Sequence, residues 1–180
     1  MEHFKILSRD EVSPKNQALY DKMKAQLGMV PNLYTVLANS ENALESYLNL
    51  ENAPTSLTGK EVEVINLVVS QINSCNYCLS AHTVIAKHTG FNNDDIISVR
   101  SGNQLSDPKL DTLSRVTKAL TEQRGHIDSS LLDDFFNAGF TKENLVDVIM
   151  LIGDRTISNL LFAVSNVAVD FPLAPQLSTL

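Results

Sequence analysis

The segment Glu63-Val64-Ile65-Asn66-Leu67-Val68-Val69-Ser70-Gln71-Ile72-Asn73-Ser74-Cys75-Asn76-Tyr77-Cys78-Leu79-Ser80-Ala81-His82 decides both the fold and the chemistry of this chain. It holds both of the chain's 2 cysteines, one of its 4 histidines, and a carboxylate set in an apolar run. The β-branched residues before the cysteines would suit a strand. Helix is the better assignment, because the run exceeds ten residues and opens on Thr58-x-x-Glu61, the pattern of a capping box. A helix from about Gly59 to Asn73 follows, with Val62, Ile65, Val68, Val69 and Ile72 inward. Ser74 or its neighbour then starts a second helix, from about Cys75 to Lys87, stopped near His88 and Gly90.

Placed on one helix, Cys75, Cys78 and His82 are spaced three and four apart and share a face. A thiol at a helix start meets free N–H groups and the positive end of the dipole, which favour the thiolate. A second thiol one turn away can resolve a sulfenic acid into a disulfide. His82 is placed to take the Cys78 proton, and Glu63 on the preceding helix to orient His82. Together these residues describe a dithiol redox site.

Outward from this stretch the pattern stays helical. Ser13-Pro14 starts a helix that Gly28 stops, and Pro31-Asn32 opens a short one through Leu37. Ser40 is a candidate cap for a helix ending before Pro54. Asn92 or Asn93 starts a short helix to about Ser101, and Asp107-Pro108 starts another that closes at Gly125. Asp128 caps Leu131 to Ala138. Lys142 to about Asn166 forms the last long helix, and Pro172 and Pro175 keep the tail out of helix. No two-residue hairpin signal occurs. The expected fold is all-α, one domain over residues 1–180, about eight helices joined by short loops.

The composition is that of an ordinary globular protein, 43% apolar and 19% charged, with a net charge of −7. No basic stripe marks a nucleic-acid partner. Asp147, Asp154 and Arg155 interrupt the most apolar region, which argues against a membrane span. The N-terminus lacks the apolar core of a signal peptide. A cytoplasmic location is expected, where a Cys-x-x-Cys pair is catalytic or metal-binding rather than a structural disulfide.

The order glutamate, eleven residues, Cys-x-x-Cys, three residues, histidine resembles the AhpD-like alkylhydroperoxidases of the carboxymuconolactone decarboxylase superfamily. Glu63, Cys75, Cys78 and His82 meet it without a gap, and the tail Val169-Asp170-Phe171-Pro172 looks like the ending of many such proteins. The resemblance implies an all-helical fold, trimers or hexamers, and a cofactor-free thiol peroxidase. It implies that Cys78 attacks the substrate, an alkyl hydroperoxide or hydrogen peroxide, that Cys75 resolves it, and that His82 and Glu63 relay the proton. An unidentified thiol or dithiol would then restore the pair. One position departs: where well-studied members carry a histidine just before the second cysteine, this chain has Tyr77, a phenol and a poor base. The decarboxylase branch typically lacks the cysteine pair, so decarboxylation is not expected.

Other readings stand beside this one. The same thiols would serve a disulfide oxidoreductase or adaptor that feeds a partner peroxidase. Cys75, Cys78, His82 and His88 supply zinc-ligand types, as in a non-enzymatic metal-binding module, although zinc fingers place about a dozen residues between the Cys pair and the first His. The cysteines could also be small core residues, and Glu63 a solvated charge. Tyr77 is expected to pack, Asp154-Arg155 to be a structural ion pair, and Phe135-Phe136 to be core. The stripe Leu145, Val148, Ile149, Ile152, Ile157, Leu160, Leu161, Val164 is wider than one core seam requires.

Overall fold

The computed structural model describes residues 4–177. A 3-10 turn at Arg9–Glu11 is followed by α1 (Pro14–Leu27), α2 (Asn32–Leu37), α3 (Ala43–Glu51), α4 (Gly59–Ile72), α5 (Asn76–His88), α6 (Asn93–Ser101), α7 (Pro108–Glu122), α8 (Ser129–Asn137) and α9 (Lys142–Ser165). No strand occurs among the described residues. The all-α expectation holds.

Helix α4 is the axis, packed by α5, α6, α7 and α9. It starts where Thr58 accepts from the Glu61 N–H and Glu61 reaches back to the Thr58 N–H at 2.7 Å. Between Glu61 and Ser70 every residue except Val62 is buried. A helix buried nearly all round needs partners on every side. Val64, Ile65, Leu67 and Val69 therefore meet Ile96 and Val99 of α6, Leu113 and Val116 of α7, Phe135 of α8 and Val148 of α9. Each such side chain stabilises the fold by roughly 1.5–3 kcal/mol relative to exposure. Phe135 stacks on Phe140 with centroids 4.4 Å apart. Its neighbour Phe136 is exposed, because adjacent helical residues diverge by about 100° and only one can face the core.

The turn from α4 to α5 takes three residues. Asn73 ends α4, Ser74 adopts φ 54°, the Ser74 N–H donates to the Gln71 carbonyl, and the Cys75 N–H donates to the Ser70 carbonyl at 2.9 Å. These are the two bonds of a Schellman motif, with serine at the left-handed position that glycine usually fills. The motif delivers Cys75 directly as the N-cap of α5.

Helix α9 is long and apolar enough to cross a membrane by length and composition. Its two faces differ. Val148, Asp154, Arg155, Ser158 and Asn159 are buried against the bundle, while Ile149, Ile157, Leu160 and Val164 are exposed together with Val146 and Met150. The wide stripe is thus two faces of one helix. Asn166, at φ 49°, ends α9. The tail then crosses back: Asp170 accepts from the Asn32 N–H, Ser80 accepts from the Ala174 N–H, and Arg100 donates to the Pro175 carbonyl.

Candidate active site

Cys75 is the N-cap of α5 rather than a residue of its first turn, and Cys78 is the third helical residue. N-cap and N3 are the positions a capping interaction brings together. Here Cys75 Sγ accepts from the Cys78 N–H at 3.3 Å. The Cα atoms lie 5.4 Å apart and the two sulfurs are at disulfide distance. The sulfurs are not equivalent. Both residues are almost fully buried, at 1% and 2% exposure. Both pack with Leu33, Val36 and Val167 in a small apolar cluster, but of the two it is Cys78 that also lines a cavity of about 670 Å³.

His82 lies one turn beyond Cys78 on α5 and lines the same cavity. Its Nδ1 is 2.9 Å from Glu63 Oε2, and both side chains are buried. A carboxylate accepts this bond and Nδ1 donates it; in the neutral ring that arrangement leaves the Nε2 lone pair free. Glu63 is therefore not a solvated charge. The four residues singled out in the sequence, Glu63, Cys75, Cys78 and His82, stand together across α4 and α5.

Further polar groups extend this cluster. Asn66, one turn beyond Glu63, donates from Nδ2 to Glu63 Oε1 at 3.0 Å and accepts from Arg155 Nε at 3.1 Å. Arg155 also donates to Ser158 Oγ at 3.3 Å and to Asp154 Oδ2 at 2.9 Å, with Glu51 Oε1 at 3.5 Å. Ser158 Oγ is 3.8 Å from Cys78 Sγ. Tyr34 donates to Glu51 Oε2 at 2.7 Å, and Tyr47 approaches Glu51 Oε1 at 3.5 Å. Asp154 and Arg155 do form the expected ion pair, but they do so in the wall of the cavity that holds Cys78. Burial alone would lower the Arg155 guanidinium; the carboxylates of Asp154 and Glu51 oppose it and hold the group above its ordinary value. Burial raises Asp154, partly offset by Arg155. Burial likewise raises the Tyr34 and Tyr47 phenols, which stay protonated donors.

Tyr77 accepts the Leu33 N–H at 3.2 Å and packs between Phe162 and Phe171. Burial pushes its phenol well above the usual range, so it serves as a packing residue. His88, the fourth candidate ligand of the zinc reading, is exposed at the cavity rim. No group of three His, Cys, Asp or Glu side chains among the described residues is arranged to hold a metal ion. The apolar wall of the cavity includes Met23, Leu27, Leu33, Leu48, Leu151 and Phe171.

The bundle has the AhpD-like fold, and solved structures of that fold superpose on it. An alkylhydroperoxidase AhpD core, an uncharacterised peroxidase-related protein from Ralstonia eutropha JMP134, matches with TM-score 0.83 at 17% identity over 93% of this chain and 91% of that one. An uncharacterised peroxidase-related protein from Silicibacter sp. TM1040 matches with TM-score 0.77 at 20% identity over 91% and 90%. The debrominase Bmp8, as a cysteine-to-alanine variant in complex with 2,3,4-tribromopyrrole, matches with TM-score 0.77 at 15% identity over 94% of each chain. Residues 39–105 match the model of the carboxymuconolactone decarboxylase family. None of the curated proteins matches the sequence.

Proposed function

We propose that this protein is a thiol-dependent peroxidase whose substrate is an organic hydroperoxide. The observation that carries this reading is that Cys78 faces the cavity one turn from a His82 fixed by Glu63, with Cys75 at disulfide distance behind it. In the reduced protein, His82 Nε2 takes the Cys78 proton. The Cys78 thiolate, near the start of α5, attacks the terminal oxygen of the peroxide. The O–O bond breaks, Cys78 becomes a sulfenic acid, and the alkoxide leaves as the alcohol with the proton that His82 held. Cys75 then displaces hydroxide from the Cys78 sulfur, giving the disulfide and, with the Cys75 proton, one water. An external thiol or dithiol returns two electrons and two protons to restore both thiols.

The alternative, an adaptor that hands electrons to a partner peroxidase, uses the same sulfurs. Burial favours the small substrate: a protein disulfide cannot approach two sulfurs at 1% and 2% exposure without displacing their cover, whereas a small molecule reaches Cys78 through the cavity. The fold is also that of a debrominase, so fold alone does not choose the leaving group. The exposed stripe on α9 suits a homo-oligomer, a trimer or hexamer, and the acidic surface suits neither a nucleic-acid nor a membrane partner. A cytoplasmic thiol pool would supply the reductant.

The test is single-turnover loss of thiols. Reduced protein mixed with one equivalent of cumene hydroperoxide is expected to lose both titratable thiols at once, and with a protein disulfide only slowly. Two thiols surviving the hydroperoxide would end the peroxidase reading.

A further inference from the structure

Arg155 stands where two halves of the site meet. Its Nε holds Asn66, which holds Glu63, which holds His82; its terminal nitrogens hold Asp154, Glu51 and Ser158, and Ser158 Oγ is the side-chain oxygen at 3.8 Å from Cys78 Sγ. A buried guanidinium is costly, and neutralising Asp154 alone would not require this geometry. Its planar fork instead reaches the acid–imidazole pair and the sulfur's neighbour from one point.

We propose that Arg155 is the positioning residue that couples the Cys78 sulfur to the Glu63–His82 pair, and that Ser158 is the hydroxyl that donates to the Cys78 thiolate. The proposal rests on the thiol chemistry assigned above to Cys78. In the oxidised pair the sulfur is neutral and needs no donor, and the Ser158 hydroxyl donates to the Arg155 carbonyl at 2.9 Å. When the pair is reduced and Cys78 ionises, the hydroxyl proton swings from that carbonyl to the sulfur. The carbonyl keeps its place in the α9 ladder, and Arg155, still donating to Ser158 Oγ, polarises the O–H toward the new charge. The same hydroxyl thus serves both redox states by a rotation about one bond.

The charges around Cys78 explain why the guanidinium is required. The wall of the cavity that Cys78 lines also carries Glu63 from α4, Glu51 from α3 and Asp154 from α9, all acids, with His82 and His88 from α5 and the neutral phenols Tyr34, Tyr47 and Tyr77. Three carboxylates around a thiolate would oppose its formation. Glu63 is covered by His82 and Asn66, and Asp154 and Glu51 by Arg155.

The test needs no peroxide. In the Cys75→Ser background, where Cys78 is the one remaining thiol, the rate of iodoacetamide alkylation is followed against pH. A hydrogen bond to an anion is worth about one pH unit here, so Ser158→Ala is expected to move the midpoint up by about that much and to slow alkylation about tenfold at pH values below both midpoints. Arg155→Lys, which keeps the charge but loses the fork, is expected to move it the same way, and Ser158→Thr, which keeps the hydroxyl, to bring it back. Asn159→Ala is the control: that side chain is equally buried on α9 but pairs with Asn73 and Ser70, so its midpoint is expected to stay with the parent. A Ser158→Ala midpoint equal to the parent's, or an equal shift in Asn159→Ala, overturns the proposal. Peroxide turnover that fails while the midpoints shift as expected would instead remove only the peroxidase reading.

Discussion

Glu61 and Glu63 lie two residues apart on α4, both buried, on opposite sides of the helix because two residues advance it by about 200°. Glu61 is closed off. It accepts the Thr58 N–H at 2.7 Å and pairs with Lys109 of α7 at 2.8 Å. Glu63 accepts from Asn66 and His82, and His82 has its second nitrogen left for the cavity. Burial does not separate a structural carboxylate from a functional one. What separates them is whether the partner is a fixed donor or a group that can pass a proton on.

The largest effects are expected at the sulfurs that Glu63 serves through His82. Cys78→Ser should abolish peroxide consumption in a coupled turnover assay, while Cys75→Ser should still complete one attack per molecule and then stop. Next come the two acids. Glu63→Gln keeps the shape but loses the charge and one of two acceptors, leaving Asn66 Nδ2 and His82 Nδ1 to compete for a single oxygen, and a drop of about 10²–10⁴ in kcat/KM is expected, the usual range for losing general-base assistance. Glu61→Gln should leave kcat/KM within a few-fold. Equal losses in the two variants would erase the distinction between them.

The smallest effect reverses the contrast. Glu61→Gln keeps an acceptor for the Thr58 N–H but loses the charge and the Lys109 pair, and is expected to cost up to about 1 kcal/mol in urea unfolding. Burial works against the Glu61 carboxylate, but donation from Lys109 and Thr58 outweighs it, so its value in the folded protein is below the ordinary 4.5. A lowered folded value means stability that is present above about 4.5 and lost as pH falls through the folded value. The gap between parent and Glu61→Gln should therefore be largest near neutral pH and close progressively below that point. A gap that widens in acid would contradict this account of Glu61.

The contrast between the two acids also marks what the sequence could say. Thr58-x-x-Glu61 identified Glu61 as a cap because capping is local, three residues apart. Glu63 was legible through its fixed distance to the cysteines. The helices themselves followed from caps such as Ser13, Thr58 and Asp107, whose side chains do accept first-turn N–H groups in the structure. What was not legible is the set that α9 contributes. Asp154 and Arg155 read as an ion pair in an apolar helix, and nothing local places them beside Cys78, since they are about eighty residues away and arrive through the packing of α9 on α4. Asn66 offered a faint signal, an amide one turn from Glu63 on an otherwise apolar helix. Ser158 offered one only in being a turn from Arg155. Phe135-Phe136 reads as core in sequence, but adjacent positions on a helix do not share a face, and Phe136 is exposed.

The most direct measurement is a tandem mass spectrum of the Cys75→Ser protein after one equivalent of cumene hydroperoxide, with dimedone present to trap sulfenic acid. If the cavity-facing sulfur is the attacking one, Cys78 carries the dimedone adduct and no other residue does. An unmodified Cys78, together with oxidation of Cys75 in the reciprocal Cys78→Ser protein, would assign the attack to the sulfur sealed behind the helix cap and contradict the account.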